Sequence, residues 1–210
     1  MANLPIALTC ADYARVLLLA TGAVQPTGID LRMVMGRRGS WDDRMSMLRR
    51  AVADPTVQGG EFSMAQYLYR IDKGDNSLVG LPVFPLRNFT ARDLYIRQGG
   101  PIRTAADLQG ARIGMYAWGA SGSVWYRHFL RFLGVDPAGI SWTIGNPDSG
   151  WGTGAGAALP PGVANAGERS LSEMLLAGDL DAIYSPPRPK AFDPANGPIA
   201  RLFPDFRPIE

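Results

Sequence analysis

The chain has 210 residues, of which 46% are apolar, enough for a real core and too many for a wholly disordered chain. Its 21 basic and 19 acidic residues leave a formal charge of only +2, and the pairs Arg37-Arg38 and Arg49-Arg50 do not extend into a nucleic-acid footprint. The longest apolar run, Val16 to Ala20, falls far short of the roughly 20 residues that span a bilayer, so no membrane insertion is expected.

One cysteine, Cys10, forbids an internal disulfide and any multi-cysteine metal site, and one histidine, His128, argues against zinc of the usual His/Cys type. No metal is therefore expected. The N-terminus carries no basic stretch ahead of its short apolar run, which makes a poor secretory signal and points to a cytoplasmic chain. With 25 Gly and 17 Pro, loops should be numerous and many turns tight.

Strands and helices alternate along the chain. Pro5 to Cys10 reads as a short buried strand, and Asp12 as the N-cap of a helix to about Thr21, stopped by Gly22. Ile29 to Met35 alternates like a second strand. Trp41 to Ala53 places Met45, Met47, Leu48 and Val52 at helical spacing with arginines opposite. Ser63 caps a further helix through Met64, Leu68 and Ile71, ended by Gly74. Leu78 to Phe84 is apolar and β-rich and reads as a buried strand.

A second set follows. Arg92 to Arg97 is a strand, Ala105 to Leu108 a short helix, and Ala111 to Tyr116 a strand. Ser123 to Leu133 is a helix apolar over most of its circumference, a pattern that predicts burial. Ile140 to Ile144 is a strand, and Gly145 to Gly167 a long loop. Leu171 to Ala177 is a helix stopped by Gly178, and Ala182 to Tyr184 a buried strand. Pro186 to Pro208 reads as irregular. This alternation predicts an α/β fold with largely parallel sheets, in two lobes over residues 1–90 and 91–210, with a ligand cleft between them.

The chemical motifs are sparse. Gly150-Trp-Gly-Thr-Gly-Ala-Gly156 lacks the Lys-Ser/Thr of a phosphate loop and precedes Pro-Pro rather than a helix, so it reads as a flexible loop. Gly119-Ala-Ser121-Gly-Ser123 lacks the second glycine of a nucleophile elbow. It does place hydroxyls at a helix start, where Ser121 or Ser123 can cap the helix, receive an anion, or do both.

Several strings taken together resemble the 4,5-dihydroxyphthalate decarboxylase family, which has the type 2 periplasmic-binding-protein-like fold. They include Cys10-Ala-Asp12-Tyr13, Gly28-Ile-Asp-Leu31, Glu61-Phe-Ser63-Met-Ala-Gln-Tyr67-Leu68 and Val83-Phe-Pro-Leu-Arg87. Further on come Asp107-Leu-Gln-Gly-Ala-Arg-Ile-Gly114, Val124-Trp125, Gly178-Asp-Leu-Asp-Ala182 and Arg201-Leu-Phe-Pro-Asp-Phe206. The likeness runs in order from Leu4 to Glu210. Family members continue past this last string with a segment returning to the first lobe, so the resemblance implies a chain truncated at its C-terminus.

The resemblance implies two lobes closing on a small aromatic carboxylate or other organic anion, no cofactor, and no nucleic-acid partner; a homo-oligomer is allowed for. Asp12, Tyr13, Glu61, Ser63, Arg87 and the stretch from Tyr116 through Ser121 to Ser123 would face the ligand. Arg87 is the candidate carboxylate holder by its bidentate geometry, and Glu61 or Asp12 the candidate proton donor. The family's first loop usually reads Cys-Trp-Asp-Tyr-Asp-Arg, and an Arg-His pair commonly follows the residue corresponding to Phe89. Here Cys10-Ala-Asp-Tyr-Ala-Arg15 and Thr90-Ala91 stand instead. These departures remove charge and leave a non-catalytic solute-binding protein for a small organic anion as the alternative.

Overall fold

The computed structural model describes residues 2–37, 41–148 and 158–209. The chain divides into two compact units, Met1–Arg87 and Asn88–Glu210. Among the described residues no helix is long and apolar enough to cross a membrane.

The first unit is built on three parallel strands. β1 (Leu4–Ala11) pairs along its whole length with β2 (Ile29–Gly36), Leu4 opposite Ile29 and Ala11 opposite Gly36. A parallel pair needs a crossover, and residues 12–28 supply it with a 3-10 turn (Ala14–Val16) and a single helical turn, α1 (Leu17–Ala20). Gly22, at φ 73°, takes the left-handed conformation that ends this crossover helix. α2 (Trp41–Ala53) buries Met47, one of the residues its spacing marks, together with Ala51, while Met45, Leu48 and Val52 are half-buried. β3 (Gly59–Gly60) then pairs on the other side of β1. α3 (Met64–Asp72) begins after Ser63 and ends before Gly74, at φ 80°.

Two expectations fail in this unit. Asp12 does not cap the crossover helix: the N-cap position before the 3-10 turn is Tyr13, whose side chain makes no capping bond. Leu78 to Phe84 is not a buried strand but an irregular segment, with Val79 86% and Leu81 74% exposed. Gly80 and Pro82 lie within it and Pro85 closes it. Proline has no N–H to give a ladder, so the β-rich composition does not become a strand.

The second unit holds one six-stranded sheet. Its strands are β4 (Leu94–Arg97), β5 (Arg112–Met115), β6 (Ser141–Ile144), β7 (Ala164–Asn165), β8 (Ala182–Tyr184) and β9 (Ile199–Arg201), in the order β7-β6-β5-β8-β4-β9. The run from β7 to β8 is parallel, while β4 lies antiparallel to both β8 and β9. α4 (Ser121–Phe132) and α5 (Leu171–Ala177) cover opposite faces. Alternation along the strands divides the core accordingly. Leu94, Ala182 and Tyr184 pack with Tyr126, Phe129 and Leu130 of α4. Tyr95 and Ile183 pack with Leu171 and Leu175 of α5.

Local chemistry fixes the ends of α5. Ser170 and Glu173 form a reciprocal capping box, and Gly178 closes the helix at φ 82°. Asp181 accepts from the Arg112 backbone N–H at 2.8 Å and from its Nε and Nη2 at 3.0 and 2.6 Å, tying the start of β5 to the turn before β8.

Three readings need correction here. Ala91–Asp93 form a 3-10 turn, so the strand begins at Leu94. The Pro-rich tail contains β9 and a closing 3-10 turn, Arg207–Ile209. α4 is not buried all round, since Val124, Trp125 and Phe132 are exposed. The glycine-rich run Gly150 to Gly156 lies outside the described residues.

Candidate functional site

In the first unit the predicted residues gather at the carboxyl end of β1. The strand sinks into the core as it ends, so that Thr9, Cys10, Ala11 and Tyr13 are all buried. β3 runs beside it because Gly60 has no side chain: a Cβ there would collide with the Thr9 backbone. The Glu61 N–H then donates to the Thr9 carbonyl at 2.8 Å, which delivers the Glu61 side chain to the same end.

Glu61 is the hub. The Tyr13 hydroxyl donates to Oε1 at 2.8 Å, and Nη2 of Arg44 reaches the same oxygen at 3.4 Å. The Ala11 N–H donates to Oε2 at 3.4 Å. The Glu61 side chain is only 6% exposed and that of Arg44 24%. The cluster shifts its neighbours. Burial pushes the Tyr13 hydroxyl well above its ordinary range; the Arg44 charge opposes this and the Glu61 charge adds to it. Burial, with Glu61 adding its charge, pushes the Cys10 thiol up to about 11. Cys10 is therefore a protonated thiol at neutral pH and no nucleophile.

The other predicted residues are placed less tightly. Asp12 is exposed, and its N–H donates to the Gly36 carbonyl at 2.9 Å. Ser63 is half-buried at the N-cap position of α3. Arg87 is exposed. The segment before it is nevertheless tied to the cluster, because the Arg15 guanidinium donates to the Pro85 carbonyl and lies 5.9 Å from the centre of the Tyr13 ring. Arg44 was not anticipated. It stands in an arginine-rich helix 17 residues before its acid partner, and only the pairing of β3 with β1 brings the two together.

In the second unit, Tyr116, Ser121 and Ser123 collect around the start of α4. Tyr184 stacks on Tyr126 with ring centres 4.5 Å apart and planes 2° from parallel, and Tyr116 lies 6.2 Å from Tyr184. Gly122 admits the hydroxyls of Tyr184 and Tyr116: a Cβ there would sit 2.9 Å from the first and 3.1 Å from the second. Ser121 is half-buried and Ser123 fully buried. His128 is exposed, with its ring edge-on to Trp125 at 6.0 Å. Among the described residues no group of three or more His, Cys, Asp or Glu could hold a metal ion.

Comparison with known proteins gives these positions a context. No family model matches the chain. A 4,5-dihydroxyphthalate decarboxylase from Pseudomonas putida is 30% identical over 98% of the chain, which covers 79% of that protein. One from Comamonas testosteroni is also 30% identical over 98% of the chain, which spans 62% of its length. Among solved structures, the periplasmic aliphatic sulphonate binding protein SsuA from Escherichia coli superposes with a TM-score of 0.54 at 16% identity. That match covers 96% of this chain and 60% of SsuA, and the likeness is one of fold. The fold is thus that of the periplasmic solute-binding proteins, and the chain belongs to the 4,5-dihydroxyphthalate decarboxylase family.

Proposed function

We propose that this chain decarboxylates a hydroxylated aromatic carboxylate such as 4,5-dihydroxyphthalate. The observation that carries the reading is the enclosed Glu61 carboxylate, held by the Tyr13 hydroxyl and Arg44 at the end of β1, in a chain of this family. The reaction calls on no separate electron sink, because the ring serves as its own.

A ring hydroxyl para to the leaving carboxylate gives its proton to Glu61 and feeds the ring. A carboxylate offers about four acceptor positions, and the three donors among the described residues leave one for this hydroxyl. A proton is added to the carbon bearing the leaving carboxylate. The C–C bond then breaks, its electron pair returns to the ring, carbon dioxide departs, and the proton on Glu61 goes back to the ring oxygen. The proton consumed has to be reloaded from solvent, which suits the exposed Asp12 better than the enclosed Glu61. Arg44 and Arg87 carry the positive charge a dicarboxylate needs; Ser63 supplies a hydroxyl beside Glu61 in the chain.

A second reading, capture of a small organic anion without chemistry, is supported by the hydroxyls gathered at the start of α4 and by the solute-binding fold, whose SsuA representative is named for binding aliphatic sulphonates. Incubation of the purified chain with 4,5-dihydroxyphthalate, followed by chromatography, separates the two. Release of 3,4-dihydroxybenzoate above a heat-inactivated control is expected. Substrate recovered unchanged from a sample shown to be folded would refute the decarboxylase reading and leave anion capture.

A further inference from the structure

We infer that Arg127, together with Ser123 and the uncapped first turn of α4, forms an anion site in the second unit whose ligand is the carboxylate of an aromatic acid. Arg127 stacks its guanidinium on the Trp118 ring, 4.0 Å from the centroid, and donates from Nη1 to the Trp118 carbonyl at 3.0 Å. A guanidinium has five N–H donors, and among the described residues no acid answers the remaining ones. Arg92, Arg112 and Arg169 of the same unit each hold an aspartate. Burial alone lowers the Arg127 pKa, with no carboxylate to raise it. The cost of desolvating this cation is thus left without a protein counter-charge.

Two further observations converge on the same place. Ser123 is fully buried, and its hydroxyl has no hydrogen-bond partner among the described residues. It lies four residues before Arg127, and residues at that spacing share one helix face. Side chains on a helix lean toward its N-terminus, so both Ser123 and Arg127 lean toward the first turn of α4. The N-cap residue of that turn is Ala120, which has no side chain able to cap it, and the turn's amides and the helix dipole favour negative charge. An orphaned hydroxyl, an unanswered guanidinium and an uncapped helix start are complementary to an oxyanion and repel a cation. Naming that anion an aromatic carboxylate rests on the decarboxylase reading; the existence of the anion site does not.

The test uses phthalate, which lacks the ring hydroxyls needed for turnover and so reports binding alone. In calorimetric titration R127M should bind phthalate at least about tenfold more weakly than the wild type, the loss expected when a charge-assisted contact is removed. S123A should show a smaller loss. R131M, altered one turn further along α4, should bind as the wild type does. R127K retains a cation for Trp118 but not the fork, and should fall between. Because R127M also removes the Trp118 stack, the wild-type chain is treated in parallel with phenylglyoxal and mapped by mass spectrometry. Phthalate should protect Arg127 and leave Arg131 reactive.

Wild-type affinity in a folded R127M, or absence of protection at Arg127, would overturn the inference. Turnover of 4,5-dihydroxyphthalate with either of those results would leave the decarboxylase reading standing. Protection at Arg127 without any turnover would do the reverse.

Discussion

Replacing Glu61 with Gln keeps the shape of the hub and removes its charge, and the consequences can be worked contact by contact. The Tyr13 hydroxyl still finds an acceptor at 2.8 Å, but a neutral one, a loss of about 1 kcal/mol. Arg44 loses its acid at 3.4 Å; since its side chain is 24% exposed, water takes over part of that role and the loss is roughly 1 kcal/mol or less. The Ala11 contact is long, at 3.4 Å, and adds little. The sum is about 2 kcal/mol, which for a unit of this size lowers the thermal midpoint by roughly 8–16 °C. Differential scanning calorimetry reads this directly. A second readout is specific to charge. Glu61 contributes to holding the Cys10 thiol up at about 11, so in E61Q the thiol should titrate lower while burial keeps it above an ordinary cysteine. An unchanged midpoint together with an unchanged Cys10 titration would refute the account of Glu61 as the structure-bearing hub of this cluster.

Two other outcomes are expected. Cys10 is raised from 9.0 to about 11 on folding, so the folded state holds this proton more tightly. The stability it contributes is complete below pH 9 and is lost as pH rises through 11, by roughly 2–3 kcal/mol; a urea midpoint that falls over this window in the wild type and less in C10A would show it. In the second unit, S170A deletes the hydroxyl that accepts from the Glu173 N–H at 3.2 Å and should cost about 1 kcal/mol, read as a lower urea midpoint with no change in Cys10 titration.

Much of this architecture can be read from local pattern. Met47 marks the inward face of α2, and Gly178 after Leu171–Ala177 marks the end of α5. These signals are local, and the fold obeys them. The failures share a cause: they depend on what lies across the chain. Leu78 to Phe84 has strand composition, yet a strand exists only where a neighbour accepts its ladder, and Gly80 and Pro82 interrupt any ladder it could offer. Ile199–Arg201 is too short to signal a strand, and becomes one because β4 presents an open edge. The apolar circumference of α4 promised burial all round, but the sheet covers one face and leaves Trp125 and Phe132 outside. At the site, Tyr13 and Glu61 stand out by their motifs, whereas Arg44 meets Glu61 only after β3 has docked on β1. Arg127 carries no sequence signal at all, since its interest lies in the acid that is missing beside it.

The strand order of the second unit also dictates when it can fold. β8 lies between β5 and β4, so the middle of the sheet stays open until residues 182–184 arrive. Arg112 and Asp181, which join β5 to the turn before β8, are separated by 69 residues of chain. Closing so long a loop has to precede the contacts that reward it, which slows folding. During synthesis, with the N-terminal part emerging first, β4 and β5 are made before the strand that joins them. Until β8 arrives, the edges it will pair with are unpaired templates for other chains, and translation speed across residues 116–181 sets how long that exposure lasts.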